Sequence, residues 1–282
     1  MLHSLIASER GPLDVYLFVE REVPEDAISR LVSLGRRDAT ILVESVPYGT
    51  IGSLARCAPP AAWTRAFLPD LLSAVDRVIY LDADLIVTGS LRSLWSSDLS
   101  GHSIGAVTTV FPSQDWGAQH CSALGLPSPR LYFNSGVLLM DLARLREGGY
   151  VSEIVEFASA RLHPALTLQA LEPGADAAGL RRHASLHPGQ LIFGDQDAMN
   201  AVLAGERLAL HPRWNCMNQL RLPWSVDVFG ERAVREALAN HAVRHFEGVG
   251  EDKPWHPDAD PEARELYLSH RNRTPWPIGE DP

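Results

Sequence analysis

The stretch RVIYLDADLIV constrains this chain most, because two aspartates, Asp82 and Asp84, interrupt an otherwise apolar run. Arg77–Leu81 reads as a strand ending at the two aspartates, and the apolar LIV after Asp84 keeps both acids in apolar surroundings. Two like charges are costly to bury unless a cation joins them. Carboxylates one residue apart at a strand end converge on a hard cation, and such a cation can hold a diphosphate. An exposed acidic turn is the simpler account of an isolated DxD. The flanking VIYL and LIV favour the metal site.

The rest of the chain alternates short apolar runs with helical patterns. Val15–Val19, Thr40–Val46, Ser103–Val110 and Tyr132–Met140 read as strands, with a helix from Asp141 after the last. Pro24 opens a helix with Ile28, Leu31 and Val32 on one face, stopping near Gly35. Ala61–Leu72 and the amphipathic Glu262–His270 are further helices. Alternation of this kind predicts an α/β fold with a largely parallel sheet, whose ligands gather at the carboxyl ends of strands. Leu162–Gln190 shows little periodicity and reads as an insertion, a loop or an acceptor-side element.

Charge and cysteine usage narrow the function. A formal net charge of -10 argues against a nucleic-acid binder, which needs a basic face to meet phosphates. Cys57, Cys121 and Cys216 are sparse and odd in number, which gives no disulfide framework and points to a reducing compartment. MLHSLIASERGPLD is too short in apolar content for a signal peptide, and no apolar stretch reaches membrane-spanning length. The expectation is a soluble, cytoplasmic protein with no transmembrane segment.

Three more motifs carry chemistry beside a plainer structural account. In YFNSGVLLMD, Asn134, Ser135 and Gly136 break a buried strand, either as a β-bulge or as sugar-facing groups. In FGDQDAMNAVL, Asp195 is a natural N-cap, while the functional reading turns Asp195 and Gln196 towards a sugar. In HFEGVGEDKPWH, His245 ends the short strand Ala242–His245, where neutral imidazole can ligate a transition metal such as manganese. Gly248 offers a bare backbone N–H there, and Lys253 offers a cation to a phosphate.

In order, RAFLPDLL, RVIYLDADLIVTGSL, YFNSGVLLMDL, GDQDAMN, RWN and HFEGVGEDKPW resemble glycosyltransferase family 8, from about Val15 to Trp255. That family comprises retaining GT-A enzymes, including bacterial lipopolysaccharide galactosyl- and glucosyltransferases and glycogenin. The resemblance implies a Rossmann-like mixed sheet flanked by helices. It further implies Mn²⁺ (Mg²⁺ as the substitute) on Asp82, Asp84 and His245, with Gly248 and Lys253 on the donor diphosphate. Arg65 would lie over the donor, Asn134, Ser135 and Gly136 would line the sugar pocket, and Asp195 would bind sugar hydroxyls. Gln196 would sit near the anomeric carbon. The implied reaction moves a hexose from UDP-glucose or UDP-galactose to a glycan acceptor of lipopolysaccharide type. A peripheral position at the inner membrane face fits that acceptor.

One departure stands out: Val15–Val19 corresponds to the second strand of the family, so the first, uridine-holding strand is expected to be lacking. Residues 1–255 are then an N-terminally truncated GT-A domain and 256–282 a helical, Pro-rich tail. A truncated member could survive as a UDP-sugar or carbohydrate-binding protein without turnover. A haloacid-dehalogenase-type phosphatase is the third reading, since its nucleophile also sits in a strand-end DxD. Ile86 occupies the position where that family carries a small hydroxyl residue.

Overall fold

The structure is a computed structural model that describes residues 1–56, 59–161 and 190–276. The expectations for Cys57 and for Leu162–Gln190 fall, apart from Gln190, outside the described residues. The chain divides into two units. The first comprises Met1–Ser45, Leu81–Ser97 and His211–Pro282, and the second Val46–Tyr80 and Asp98–Leu210.

In the first unit, β1 (Leu13–Val19) and β2 (Ala39–Ser45) pair in parallel, from Leu13 opposite Ala39 to Val19 opposite Ser45. Glu25–Val32 connects them as a helix, as its spacing predicts. None of its residues is fully buried, however, and Val32 is 44% exposed, so the described residues cover its apolar stripe only in part.

A second pair of strands in this unit matters more for chemistry. β4 (Leu85–Val87) runs antiparallel to β8 (Val243–His245), with Leu85 directly opposite His245. The backbone N–H of Phe246 then donates to the Asp84 carbonyl at 3.0 Å, extending the pairing into the acidic motif. The Leu2–Ser8 helix closes the other edge of β4. Ser4 Oγ accepts from Val87 N at 3.0 Å and Ser8 Oγ donates to Val87 O at 2.9 Å, so side chains satisfy edge groups that no strand pairs. Ile86, Phe246 and Ala263 form a buried cluster packed by Leu266 and Tyr267 of the Pro261–Arg271 helix.

The second unit carries a four-stranded sheet in the order β3 (Arg77–Leu81), β6 (Phe133–Asp141), β5 (Ile104–Thr108), β7 (Arg207–Ala209). β5 is antiparallel to β6 and parallel to β7. The sheet is therefore mixed, which corrects the largely parallel arrangement that helix–strand alternation suggested. Every residue of β5 is buried, as are all but two of β6, which explains why their sequences read as nearly continuous apolar runs.

Register breaks where YFNSG predicted a disturbance. Phe133 lies opposite Thr108, yet Leu138 lies opposite Ala106. Asn134 Oδ1 accepts from the Gly136 N–H at 2.9 Å, so a side chain takes over from the ladder at the irregularity.

Helices complete the unit. Pro60–Leu71 buries Trp63, Phe67 and Leu68. Its C-terminal end is held by Arg146, whose Nη1 donates to the carbonyls of Pro69 at 3.0 Å, Val75 at 3.1 Å and Leu72 at 3.4 Å. A cation there satisfies carbonyls that the helix leaves over and suits the negative end of its dipole. Asp195–Leu203 packs on the Tyr150–Arg161 helix and on β6. Among the described residues, no helix is long and apolar enough to cross a membrane.

Candidate functional site

In the first unit, β4–β8 pairing brings together residues more than 160 positions apart. Asp82, Asp84 and His245 each present a ligand atom, and these atoms all lie within 4.8 Å of one another. His245 Nε2 is 3.2 Å from Asp84 Oδ1 and 3.9 Å from Asp82 Oδ2. The geometry follows from register: with Leu85 opposite His245, the residue just before β4 and the last residue of β8 share one end of the ladder.

The electrostatics are those of a site made for positive charge. Burial pushes the Asp84 carboxyl up, but the His245 hydrogen bond and charge, with Lys253 beside them, hold it well below the usual carboxylate range. Burial pulls His245 down, and the hydrogen bond and charge of Asp84 outweigh it, so the imidazole ends raised. Lys253 Nζ donates to Asp84 Oδ2 at 2.5 Å and to the Phe246 carbonyl at 2.8 Å. Gly248 has φ +103°, and a Cβ there would meet the Asp252 carboxylate at 2.2 Å. Only glycine fits that turn between His245 and Lys253.

Asn215 is the residue that sequence reasoning missed here, although RWN was noticed as a motif. It is fully buried, and its Oδ1 lies 2.9 Å from His245 Nδ1. An amide oxygen only accepts, so Nδ1 keeps a proton; Nε2 donates to Asp84 Oδ1 until a cation displaces its proton and takes the lone pair. This donor set fits a divalent cation of the manganese type: two carboxylate oxygens, one imidazole nitrogen in the right tautomer, and an outer partner that fixes the ring. Asn215→Ala is expected to weaken Mn²⁺ affinity by about 10- to 100-fold, measured by calorimetric titration, while leaving the fold intact. Unchanged affinity would show that the ring needs no such anchor.

In the second unit, Arg65, Asn134, Ser135, Gly136, Asp195 and Gln196 form one connected network. Arg65 Nε pairs with Asp195 Oδ2 at 2.9 Å, and its Nη1 donates to Ser135 O at 2.8 Å and Ser135 Oγ at 3.0 Å. The guanidinium also lies 4.8 Å from the centre of the Tyr80 ring. Gln196 Oε1 accepts from Ser135 N at 3.0 Å and from Asn134 Nδ2 at 3.1 Å. The helix N-cap is Gly194, with φ +54°, and Asp195 is the first helical residue. The capping account of Asp195 therefore gives way to a buried ion pair.

A further acid, Asp197, was passed over within GDQDAMN. It is fully buried. Its Oδ1 accepts from His120 Nε2 at 2.8 Å and Tyr132 Oη at 2.5 Å, and its Oδ2 from the N–H groups of Ile192 at 2.6 Å and Phe193 at 2.8 Å. His120 stacks on Trp116, with ring centres 5.2 Å apart and planes at 6°.

Comparison with known proteins gives the family of the chain. The sequence profile of Glycosyl transferase family 8 matches residues 2–175 and 180–259. The chain belongs to that family. General stress protein A of Bacillus subtilis (strain 168) is 26% identical over 223 residues, which is 77% of this chain and 66% of that protein. Glycosyltransferase GlyF of Streptococcus pneumoniae serotype 4 is 27% identical over 212 residues, 75% of this chain and 42% of GlyF. This family 8 chain therefore spans less than two thirds of the length of these relatives.

Solved structures agree on the architecture. The galactosyltransferase LgtC, in complex with donor and acceptor sugar analogues, superposes with TM-score 0.65 at 18% identity, over 95% of this chain and 98% of LgtC. The bifunctional glycosyltransferase WbbM in its apo form gives TM-score 0.69 at 16% identity, over 95% of this chain and 51% of WbbM. The fold is GT-A, with sheets flanked by helices. Family membership leaves the haloacid-dehalogenase reading without support.

Proposed function

We propose that this family 8 member is a retaining hexosyltransferase that moves glucose or galactose from a UDP-sugar to a glycan acceptor. The observation that carries the reading is the convergence of Asp82, Asp84 and His245, with Lys253 against Asp84. That set suits the one task a nucleotide-sugar transferase cannot avoid, which is neutralising a departing diphosphate.

Asp82, Asp84 and His245 would hold Mn²⁺, or Mg²⁺ in its place, and the ion would supply positive charge to the leaving UDP. Lys253 engages Asp84 in the structure, and an incoming diphosphate competes for the same ammonium. Gly248, which carries no side chain of its own, would offer its backbone N–H to the diphosphate. Arg65 orders the Asp195 carboxylate and Ser135. Asn134, Ser135, Gly136 and Asp195 would face the sugar and Gln196 would lie beside the anomeric carbon, as the family resemblance implies.

Retention is what the family resemblance implies, and the lack of a suitable nucleophile in that set favours a front-face route to it. Asp195 is ion-paired to Arg65, and Asp197 is fully buried with both oxygens taken. A front-face displacement, in which the leaving phosphate helps to deprotonate the incoming hydroxyl, needs neither. The acceptor is a surface glycan of lipopolysaccharide type, met in the cytoplasm or at the inner membrane face. Residues 1–255 form the catalytic part and 256–282 a C-terminal tail.

UDP release from a panel of UDP-sugars, with Mn²⁺ and then with chelator, tests the reading. Metal-dependent release from a hexose donor is the expected result. Metal-dependent UDP binding with no turnover from any donor would replace it with a carbohydrate-binding role.

A further inference from the structure

Gln196 is held at both ends of its amide. Oε1 accepts from Ser135 N at 3.0 Å, Asn134 Nδ2 at 3.1 Å and Ser135 Oγ at 3.3 Å. Nε2 donates to Tyr132 Oη at 3.1 Å. A backbone N–H can only donate, so the atom that faces Ser135 N has to be the oxygen.

Tyr132 gives the same assignment from the other end. Burial, with the neighbouring Asp197 charge, raises the Tyr132 phenol well above its usual range, so it keeps its single proton. That proton goes to Asp197 Oδ1, because a carboxylate only accepts. The phenol oxygen is left as the acceptor for Gln196. Asp197 in turn cannot swing away, since Ile192 N, Phe193 N and His120 Nε2 occupy its remaining positions. His120 is wedged between the flat face of Trp116 and the ring edges of Phe111 and Phe193.

Two consequences bear on chemistry. Oε1 already receives three donors, more than two lone pairs accommodate well, which makes it a poor nucleophile. The second hydrogen on Nε2 makes no bond to any described residue, and Gln196 is only half-buried. We infer that Tyr132 and Asp197 are positioning residues that lock the Gln196 amide, so that it presents an N–H donor, not a carbonyl, to a hydroxyl oxygen of the transferred hexose. The inference rests on the reading above that Gln196 lies beside that sugar.

A double-mutant cycle on UDP release separates positioning from mere packing. Tyr132→Phe removes one hydroxyl, and kcat is expected to fall by about 10- to 100-fold with donor KM within about twofold. Adding it to Gln196→Ala is expected to cost nothing further, since both act on one amide. Should Tyr132→Phe not fold, the side-chain amide resonances of Gln196 in the wild type serve instead: one fixed orientation is expected, and exchange between two would overturn the inference. A Tyr132→Phe enzyme with wild-type kcat, or losses that multiply in the double variant, would overturn the inference alone. A metal-loaded wild type that turns over no donor would overturn the transferase reading and take the inference with it.

Discussion

Asp84→Ala is expected to lower Mn²⁺-dependent UDP release by about three orders of magnitude and to remove measurable Mn²⁺ binding. Asp84 is the centre of the cluster, touching His245 at 3.2 Å and Lys253 at 2.5 Å. The substitution should spare the fold, because what Asp84 contributes to β4–β8 pairing is its backbone carbonyl, which accepts from Phe246 N. A calorimetric Mn²⁺ titration beside a thermal melt separates the two effects. Wild-type turnover in a folded Asp84→Ala protein would remove the metal site from the mechanism.

Metal affinity should also depend on pH in a definite direction. His245 is raised by Asp84 against the pull of burial, so it holds its proton to a higher pH than a free histidine. A cation must displace that proton, and affinity therefore weakens as pH falls through the raised value.

The largest loss of stability is expected from Asp197→Ala, at about 3–5 kcal/mol in denaturant unfolding. The carboxylate is fully buried and serves four donors. Its removal strands the His120 N–H, the Tyr132 hydroxyl and two backbone N–H groups in an apolar, aromatic pocket. Burial pushes the Asp197 carboxyl up, but the His120 charge and hydrogen bond, with Tyr132 and Phe193, pull it down overall. A depressed value in the folded state means the stabilisation is complete above the unfolded carboxylate pKa of about 3.9. It is lost as pH falls through the lower folded value. Wild type should thus lose stability on acidification below about pH 4, and Asp197→Ala should show less of that dependence. A variant as stable as wild type would mean that water or repacking satisfies the four donors.

The sequence by itself determined whatever depends on near neighbours. Arg77–Leu81 is a strand with the bounds its apolar run suggested, and the Pro60–Leu71 helix begins and ends within one residue of its reading. Asp82 and Asp84 were legible because two acids inside apolar flanks form a local anomaly. Asn134, Gln196 and His245 lie on the strand, helix and strand that local pattern gave them, because each pattern is a short contiguous run.

Only the tertiary structure decided which side chains those residues lean on. Asn215 and His245 are 30 positions apart, Gln196 and Ser135 61, and Asp197 and His120 77. Asp195 looked like a helix cap because that is an acid's commonest local use, and Arg65, far away in sequence, claimed it for an ion pair. Alternation alone suggested parallel strands and only the family resemblance implied the mixed sheet, since strand direction is set by where a connection returns and periodicity within a strand is blind to it. Propensity, alternation and charge are written within a few residues, whereas a buried hydrogen bond is specified by two distant positions at once. A single sequence therefore names the candidate site residues more readily than the second residues they contact, such as Asn215 against His245 and Tyr132 against Gln196.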